Sequence, residues 1–275
     1  MTDDLLAEMP RVTPAWLAIR GPADAAARAT DLVPLLGLTG PKPYLIHDLG
    51  CGTGSMGRWL APRLPGPQHW ILHDRDPRLL DEAAVDLVAA ADGAPVTVET
   101  RCGDLTALTS DDFAGAALVT ASALLDLLTA AEVERIAAAC VGASCPALLT
   151  LSVTGRVELT PTDPLDRPIQ AAFNEHQRRE VAGRRLLGPD AVAASVAAFS
   201  GLGVTTVVRP SPWRLGPADT ELLAEWFTGW VDAAVEQRPE LAGPVLEYAH
   251  RRRAEIAQGR LRVVLHHLDL LTGRE

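Results

Sequence analysis

Asp48, Gly50, Gly52 and Gly54 stand at alternate positions where the apolar run Tyr44-Leu45-Ile46 ends. Glycine takes backbone angles closed to other residues and carries no side chain, so such a loop lets the main chain approach a ligand closely. The amides of a helix that starts behind it favour a polar or anionic group. A second apolar run, Trp70-Ile71-Leu72-His73, also ends in an acid, Asp74. One carboxylate offers two oxygens to a pair of hydrogen-bond donors. Further along, Gly103-Asp104 follows the alternating run Val96-Thr97-Val98-Glu99-Thr100, and Ser122 and Asp126 follow Ala116 to Thr120. His176, with an ordinary pKa of about 6.5, could serve as a general base, against the alternative of a structural histidine or a solvated helix face.

These residues need strands to aim them. Tyr44–Ile46, Trp70–Asp74, 96–100, 116–120 and 147–153 read as five strands, and the helical stretches between them argue for a parallel sheet covered on both faces. Met56 to Ala61 reads as a short helix ended by Pro62, and Leu79 to Ala91 as an amphipathic one. Asp76 is expected to cap the latter, with Pro77 in its first turn. A further helix is expected from Ala123. In parallel sheets ligands sit at the carboxyl ends of the strands, and Asp48, Asp74, Asp104 and Thr120 all fall there.

The order acid-x-Gly-x-Gly-x-Gly, then Asp74, then Gly103-Asp104 resembles the class I S-adenosylmethionine-dependent methyltransferases. The resemblance implies a Rossmann-like, mostly parallel seven-stranded α/β sheet with helices on both faces and the last strand antiparallel, here Leu261 to Leu270 beside a sixth strand at 204–208. It implies S-adenosyl-L-methionine as cofactor and S-adenosyl-L-homocysteine as product. The cofactor residues it implies are Asp48, Gly50, Cys51, Gly52, Gly54, Asp74, Arg75, Gly103, Asp104, Leu105, Thr120 and Ala121. Asp74 would hold the ribose and Asp104 the adenine amino group, although Asp104 could equally be an Asx cap of a plain turn. Residues 1–40 would form a helical lid, broken at Pro10, Pro14 and Pro22, whose Arg20 or Arg28 could meet the cofactor carboxylate. A solvated helix face is the alternative for both arginines. The domain proper would be 41–275, with substrate-shaping insertions at 154–187 and 211–259.

In the first insertion Val157 and Leu159 suggest a short hairpin arm, and Asp166 to Glu180 a helix. Asn174 and Arg178 share one of its faces, so with Ser122, Asp126 and His266 they are candidates to bind the acceptor; for Asp126 a solvated face competes. In the second insertion Leu222, Leu223, Trp226, Phe227, Trp230 and Val231 repeat at three and four, which reads as buried packing more than as an aromatic cage. A second helix follows, from near Pro244 to Gln258, with Arg251, Arg252 and Arg253 expected in solvent. His266 and His267 face opposite sides of a strand and cannot act as a pair.

Composition narrows the function. The 275 residues are 48% apolar and can bury a large core. A net charge of −10 argues against a nucleic-acid surface. The four cysteines have no zinc spacing and read as reduced thiols, and no metal is expected. No run is long enough to span a membrane, and the acidic start lacks a signal peptide. A cytoplasmic enzyme that methylates a small molecule at oxygen is the expectation, with a homodimer left open. Two rivals stand. One is a fold that binds the cofactor without methyl transfer. The other is an NAD(P)-dependent oxidoreductase, since Gly52-Thr53-Gly54-Ser55-Met56-Gly57 also fits G-x-G-x-x-G. The second leaves Asp48 and Gly103-Asp104 without a role, and Lys42, the one lysine, rules out a Tyr-x-x-x-Lys pair.

Overall fold

Apolar segments bounded by glycine, proline and acids become the strands of one twisted sheet in the computed structural model, which describes residues 12–38, 42–84 and 88–273. Strands β1 (Tyr44–Leu49), β2 (Gln68–Asp74), β3 (Val96–Cys102), β4 (Leu118–Ser122) and β5 (Ala147–Thr160) run parallel. After a two-residue ladder of β6 (Glu180–Val181) and β7 (Arg184–Arg185) come β8 (Thr206–Pro210), β9 (Trp213–Leu215) and β10 (Arg262–Thr272). The order across the sheet is β3-β2-β1-β4-β5-β10-β8. β10 is antiparallel to both neighbours and is also paired by β9, an eighth strand that the sequence did not announce.

The helices are α1 (Pro14–Ala27), α2 (Ser55–Leu60), α3 (Pro77–Ala83), α4 (Ala130–Gly142), α5 (Asp166–Gln177), α6 (Ala191–Gly201), α7 (Thr220–Gln237) and α8 (Ala242–Ala257). Side chains alternate across a strand, and this sorts the two faces. Ile46, Trp70, Leu72, Leu118, Leu148 and Leu271 pack under α2, α3 and the 3₁₀ turn Thr30–Leu36. Leu49, Val119, Ala121, Leu149 and Leu270 pack under α4 and α6. Asp48, Thr120, Ser122 and Asp269 therefore share the first face. No helix among the described residues is long and apolar enough to cross a membrane.

Several elements differ from the expectation. The stretch Val157–Leu159 is no hairpin arm. It continues β5, which bends at two left-handed residues, Leu151 and Gly155 (φ 57° and 73°), and pairs with β10 to its end. The hairpin lies at 180–185 instead. Helix α3 ends at Ala83 rather than Ala91, though Asp76 caps it as expected, accepting from the Arg78 amide at 3.0 Å. After β4 the chain makes a turn with Ala123 at φ 51°, and α4 starts only at Ala130 behind the capping box of Thr129 and Glu132. Pro22 lies inside α1 and does not break it; it removes one backbone bond, but Trp16, Ile19, Ala23 and Ala27 pin the helix to the core on either side. The expected break at Pro10 lies outside the described residues.

The stripe of α7 is core. Leu222, Leu223, Trp226, Phe227, Trp230 and Val231 are all buried, each contributing roughly 1.5–3 kcal/mol. Arg252 is a correction. It is buried rather than solvated; its Nη2 donates to both oxygens of Asp166 (2.6 and 2.7 Å) and its Nη1 to the Pro161 carbonyl, tying α8 to α5.

Candidate functional site

The loop after β1 is built by glycines in the left-handed region: Gly50, Gly52 and Gly54 have φ of 62°, 56° and 83°. Gly54 is the residue before α2. A β-carbon on Gly50 would meet the Leu124 side chain at 2.9 Å, and one on Gly52 the Leu17 side chain of α1 at 3.0 Å. The three glycines carry no side chains, and the loop is roofed by Leu17 of α1 and Leu124 of the turn after β4. Cys51 lies buried between them, its amide donating to the His73 carbonyl, and burial pushes its thiol far up.

Asp74 sits at the end of β2, against this loop. Its carboxylate accepts from the Gly52 amide (2.9 Å) and the Asp76 amide (3.0 Å). Gly103 is beside it, its amide donating to the Asp74 carbonyl. Asp104 is exposed and caps the turn at Leu105, accepting from the amide and hydroxyl of Thr106 (2.9 and 2.7 Å). Arg75 is half-buried between them, its carbonyl near the Cys102 thiol. Thus Gly50, Gly52, Asp74, Gly103 and Asp104 meet at one edge of the sheet.

Asp48 is fully buried. Thr120 donates to its Oδ1 at 2.7 Å, while its Oδ2 has no partner. Burial raises its carboxyl to about 7, against the pull of the Thr120 hydroxyl and Arg28. Arg28, just past α1, is 3% exposed. One nitrogen donates to Ser55 Oγ (3.1 Å) and Ser122 Oγ (3.0 Å), and the guanidinium lies over Trp59. Its Nε and Nη1 are buried without a partner. Desolvation lowers its pKa, offset by Asp24, Asp48 and Asp269. A buried donor left unmade costs roughly 1–3 kcal/mol, so this guanidinium is arranged for an acceptor that the chain does not itself supply.

Asp269 closes the back of the group. It is buried, and accepts from the Ala29 amide (2.8 Å), the Leu151 amide (2.7 Å) and the Ser211 hydroxyl (2.5 Å). Its burial raises its carboxyl. Its signal in the sequence is an acid within the apolar run Leu268-Asp269-Leu270-Leu271. Arg20 forms a bidentate pair with Asp24 (2.9 and 3.2 Å) and lies over Trp213 at 5.1 Å. Asp24 also accepts from the Trp213 indole. Asp126, in the 3₁₀ turn Leu125–Leu127, is half-buried, and burial raises its carboxyl to about 6, with Arg20 pulling the other way.

The remaining candidates lie elsewhere. His266 turns to the exposed side, 3.1 Å from Glu158, and it is His267 that is buried against Trp213. This is the alternation expected of neighbours in a strand, with the other member facing inward. Asn174 donates to the Gly155 carbonyl (2.8 Å). Arg178 is bidentate to Asp190 (2.6 and 2.8 Å). His176 stands between Arg179 (3.2 Å) and Glu236 (3.3 Å), with its pKa lowered by burial. The structure does not bring these three beside Asp48 and Asp74. Among the described residues no group of three or more His, Cys, Asp or Glu side chains could hold a metal ion.

Residues 46–146, which span β1 to the edge of β5, match a family model described as a methyltransferase domain. No curated protein matches the chain. Among solved structures, a cyclopropane-fatty-acyl-phospholipid synthase-like protein from Lactobacillus casei is 15% identical, with a TM-score of 0.49 over 98% of this chain and 98% of that one. A SAM-dependent methyltransferase from Geobacter sulfurreducens, in complex with S-adenosyl-L-homocysteine, is 16% identical, with a TM-score of 0.39 over 98% of both chains. A geranyl diphosphate methyltransferase in complex with SAM is 13% identical, with a TM-score of 0.46 over 90% of this chain and 84% of that one.

Proposed function

With residues 46–146 a methyltransferase domain, we propose that this chain is an enzyme that transfers a methyl group from S-adenosyl-L-methionine to the oxygen of a small-molecule acceptor. The observation that carries this reading is the juxtaposition of a loop with three left-handed glycines and a buried guanidinium that has two unpartnered nitrogens, Arg28. The residues present fit the cofactor. Gly50 and Gly52 offer the close backbone approach, Asp74 the acceptor for ribose hydroxyls, Arg28 the donors for a carboxylate, and Asp48 Oδ2 an acceptor for an ammonium. Asp104 keeps an exposed carboxylate at the adenine position while capping its turn.

The bound cofactor supplies an electrophilic methyl group on a sulfonium. The chain's own residues position, enclose and deprotonate. Leu17 of α1 and Leu124 cover the loop and exclude water. Asp126, held near 6, is ionised at neutral pH yet basic enough to take a hydroxyl proton. That match favours oxygen as the acceptor atom. The net charge of −10 favours a small molecule over a nucleic acid. Four free cysteines suit a reducing, cytoplasmic setting.

Titration of the purified protein with S-adenosyl-L-homocysteine, alongside NADH, tests the reading. Binding of the first alone is the expected result. Binding of NADH alone would assign Gly52 to Gly57 to a dinucleotide instead, and homocysteine-adduct binding without transfer of labelled methyl to any cell-extract component would leave a binding module.

A further inference from the structure

The first insertion, which the cofactor reading leaves without a task, builds a second concave site. A cleft of about 550 Å³ opens between the start of α4, the β6–β7 hairpin and the turn Gly188–Asp190. Four arginines line it: Arg135, Arg178, Arg184 and Arg185. In a chain of net charge −10 this is a local concentration of the opposite sign. Two carboxylates answer it. Glu132 is bidentate to Arg184 (2.9 and 2.6 Å), and Asp190 is bidentate to Arg178. The first pair holds the hairpin against α4, and the second ties the end of α5 to the turn Gly188–Asp190. They leave two guanidinium groups outside these pairs: among the described residues neither Arg135 nor Arg185 is bound to a carboxylate, and Arg185 acts on Asp190 only from beyond ion-pair distance. Arg135 reaches only the Thr106 carbonyl, at 3.4 Å.

The field comes from the guanidinium groups and not from a helix end. The capping box closes the start of α4, since Thr129 Oγ1 accepts from the Glu132 amide and Glu132 accepts from the Thr129 amide. The place of the cleft in the fold gives it meaning. α4 follows β4 and returns to the start of β5, so its first residues lie at the carboxyl edge of the sheet, where Ser122 also lies. Only the turn 123–128, with Leu124 over Gly50 and Asp126 in its 3₁₀ segment, separates the glycine loop from Thr129.

We propose that this cleft is the anchor for an oxyanion of the acceptor, a phosphate or a carboxylate held by Arg135 and Arg185, so that the enzyme's acceptors are anionic small molecules. This rests on the methyltransferase reading for the word acceptor and not for the binding itself. Planar guanidinium groups hold such oxyanions through paired N–H donors. Arg178 and Arg184, clamped by their acids, line the floor and set the spacing. The expected acceptor then carries its anionic group at one end and its nucleophile at the other, with the turn 123–128 between the two subsites.

The test uses the full chain at fixed ionic strength. Inorganic phosphate and succinate are titrated calorimetrically, against chloride as control, into the wild type and the Arg135→Ala/Arg185→Ala double variant. S-adenosyl-L-homocysteine is titrated into both proteins as well. Saturable binding of phosphate or succinate to the wild type is expected, weakened about tenfold or more in the variant, with homocysteine-adduct affinity unchanged. The stronger of the two anions tells phosphorylated from carboxylated acceptors. No binding above the chloride control, or equal binding to both proteins, overturns the proposal. If the adduct binds neither protein but the anions bind the wild type, the cofactor reading fails and the anion site stands. Both arginines are exposed and outside the core, so the variant is expected to fold; an unchanged melting temperature checks this.

Discussion

On the proposed reading, Arg28→Met would separate recognition of the cofactor's carboxylate from everything else the pocket does. The guanidinium donates to Ser55 and Ser122 and leaves Nε and Nη1 buried and unpartnered. The two bonds made, each roughly 1.5–3 kcal/mol as charge-assisted bonds, are offset by two unmade donors at roughly 1–3 kcal/mol each. Methionine keeps most of the stem that packs on Trp59. The unliganded variant should therefore unfold within about 1–2 kcal/mol of the wild type. Binding should not be spared. A carboxylate held by the two vacant nitrogens contributes on the order of 1.5–3 kcal/mol, so S-adenosyl-L-homocysteine should bind about 10- to 150-fold more weakly. Methylthioadenosine, which lacks the carboxylate and the amine, should lose almost nothing. Calorimetry with both ligands on both proteins closes the cycle. Equal losses for the two ligands, or none for either, would refute the assignment and return Arg28 to a structural role.

Asp74→Ala should weaken binding of both ligands and more than Asp74→Asn does, because the amide keeps one oxygen for the Gly52 amide and the ribose; equal affinity in all three proteins, read by calorimetry, would remove the ribose role. Asp126→Asn should lower turnover by tenfold or more, and kcat/KM of the wild type should rise with pH through about 6 and level off above it, while His176→Ala stays near wild type; a slow His176→Ala enzyme with a normal Asp126→Asn would exchange their roles. Asp48, held near 7 before binding, should ionise when an ammonium arrives, so S-adenosyl-L-homocysteine binding near pH 7 should release a proton, seen as a buffer-dependent heat that Asp48→Asn abolishes. His47 and His73 stack in the core with Nδ1 and Nε2 3.0 Å apart, and burial lowers both to about 4. The unfolded chain takes up protons below about 6.5 that the folded chain refuses until about 4, so stability should be full above 6.5 and fall as pH drops through that window, by on the order of 3 kcal/mol per ring; a melting temperature flat from pH 7 to 5 would contradict this.

The elements that were legible are those whose signal is local. β1, β2 and β4 are apolar runs ended by an acid or a small polar residue, and the strand ends follow from where those runs stop. Asp76 as a helix cap is a relation between near neighbours. Arg28 and Asp269 were opaque for the opposite reason. Arg28 finds Ser55 and Ser122 at separations of 27 and 94 residues, and Asp269 finds the Ala29 amide at 240. No periodicity encodes such a meeting. Arg252 lies between these cases. Within the run Arg251-Arg252-Arg253, only the middle residue shares the helical phase of Val245, Tyr248, Ala249 and Ile256, all of which are buried. Composition alone put the three together in solvent, and helical phase would have set Arg252 apart. The hairpin expected at 157–159 failed because alternation cannot tell a turning arm from a long strand that bends at Leu151 and Gly155.

The pocket's charge is the part of the site that sequence order could least convey, and it favours a zwitterion. Asp24, Asp48 and Asp269 act on the buried Arg28, with Arg20 as the second base of the group. Asp24 is answered by Arg20, and Asp269 by two amides and a hydroxyl. What is left is one carboxyl oxygen on Asp48 and two nitrogens on Arg28, both without partners and both on the same face of the sheet. A ligand that brought only a carboxylate would leave Asp48 to stay protonated. One that brought only an ammonium would leave Arg28 unmatched. An amino-acid group brings both, and pairing each with its opposite removes two desolvation penalties at once. On the proposed reading, the unspent capacity of Arg28 and Asp48 would meet the methionyl end of the cofactor, and the glycine loop and Asp74 its nucleoside end. An oxidised or reduced nicotinamide dinucleotide has no amino-acid group to satisfy the first pair, which is why the two ends of the pocket together favour one of the two fingerprints that the glycines alone leave open.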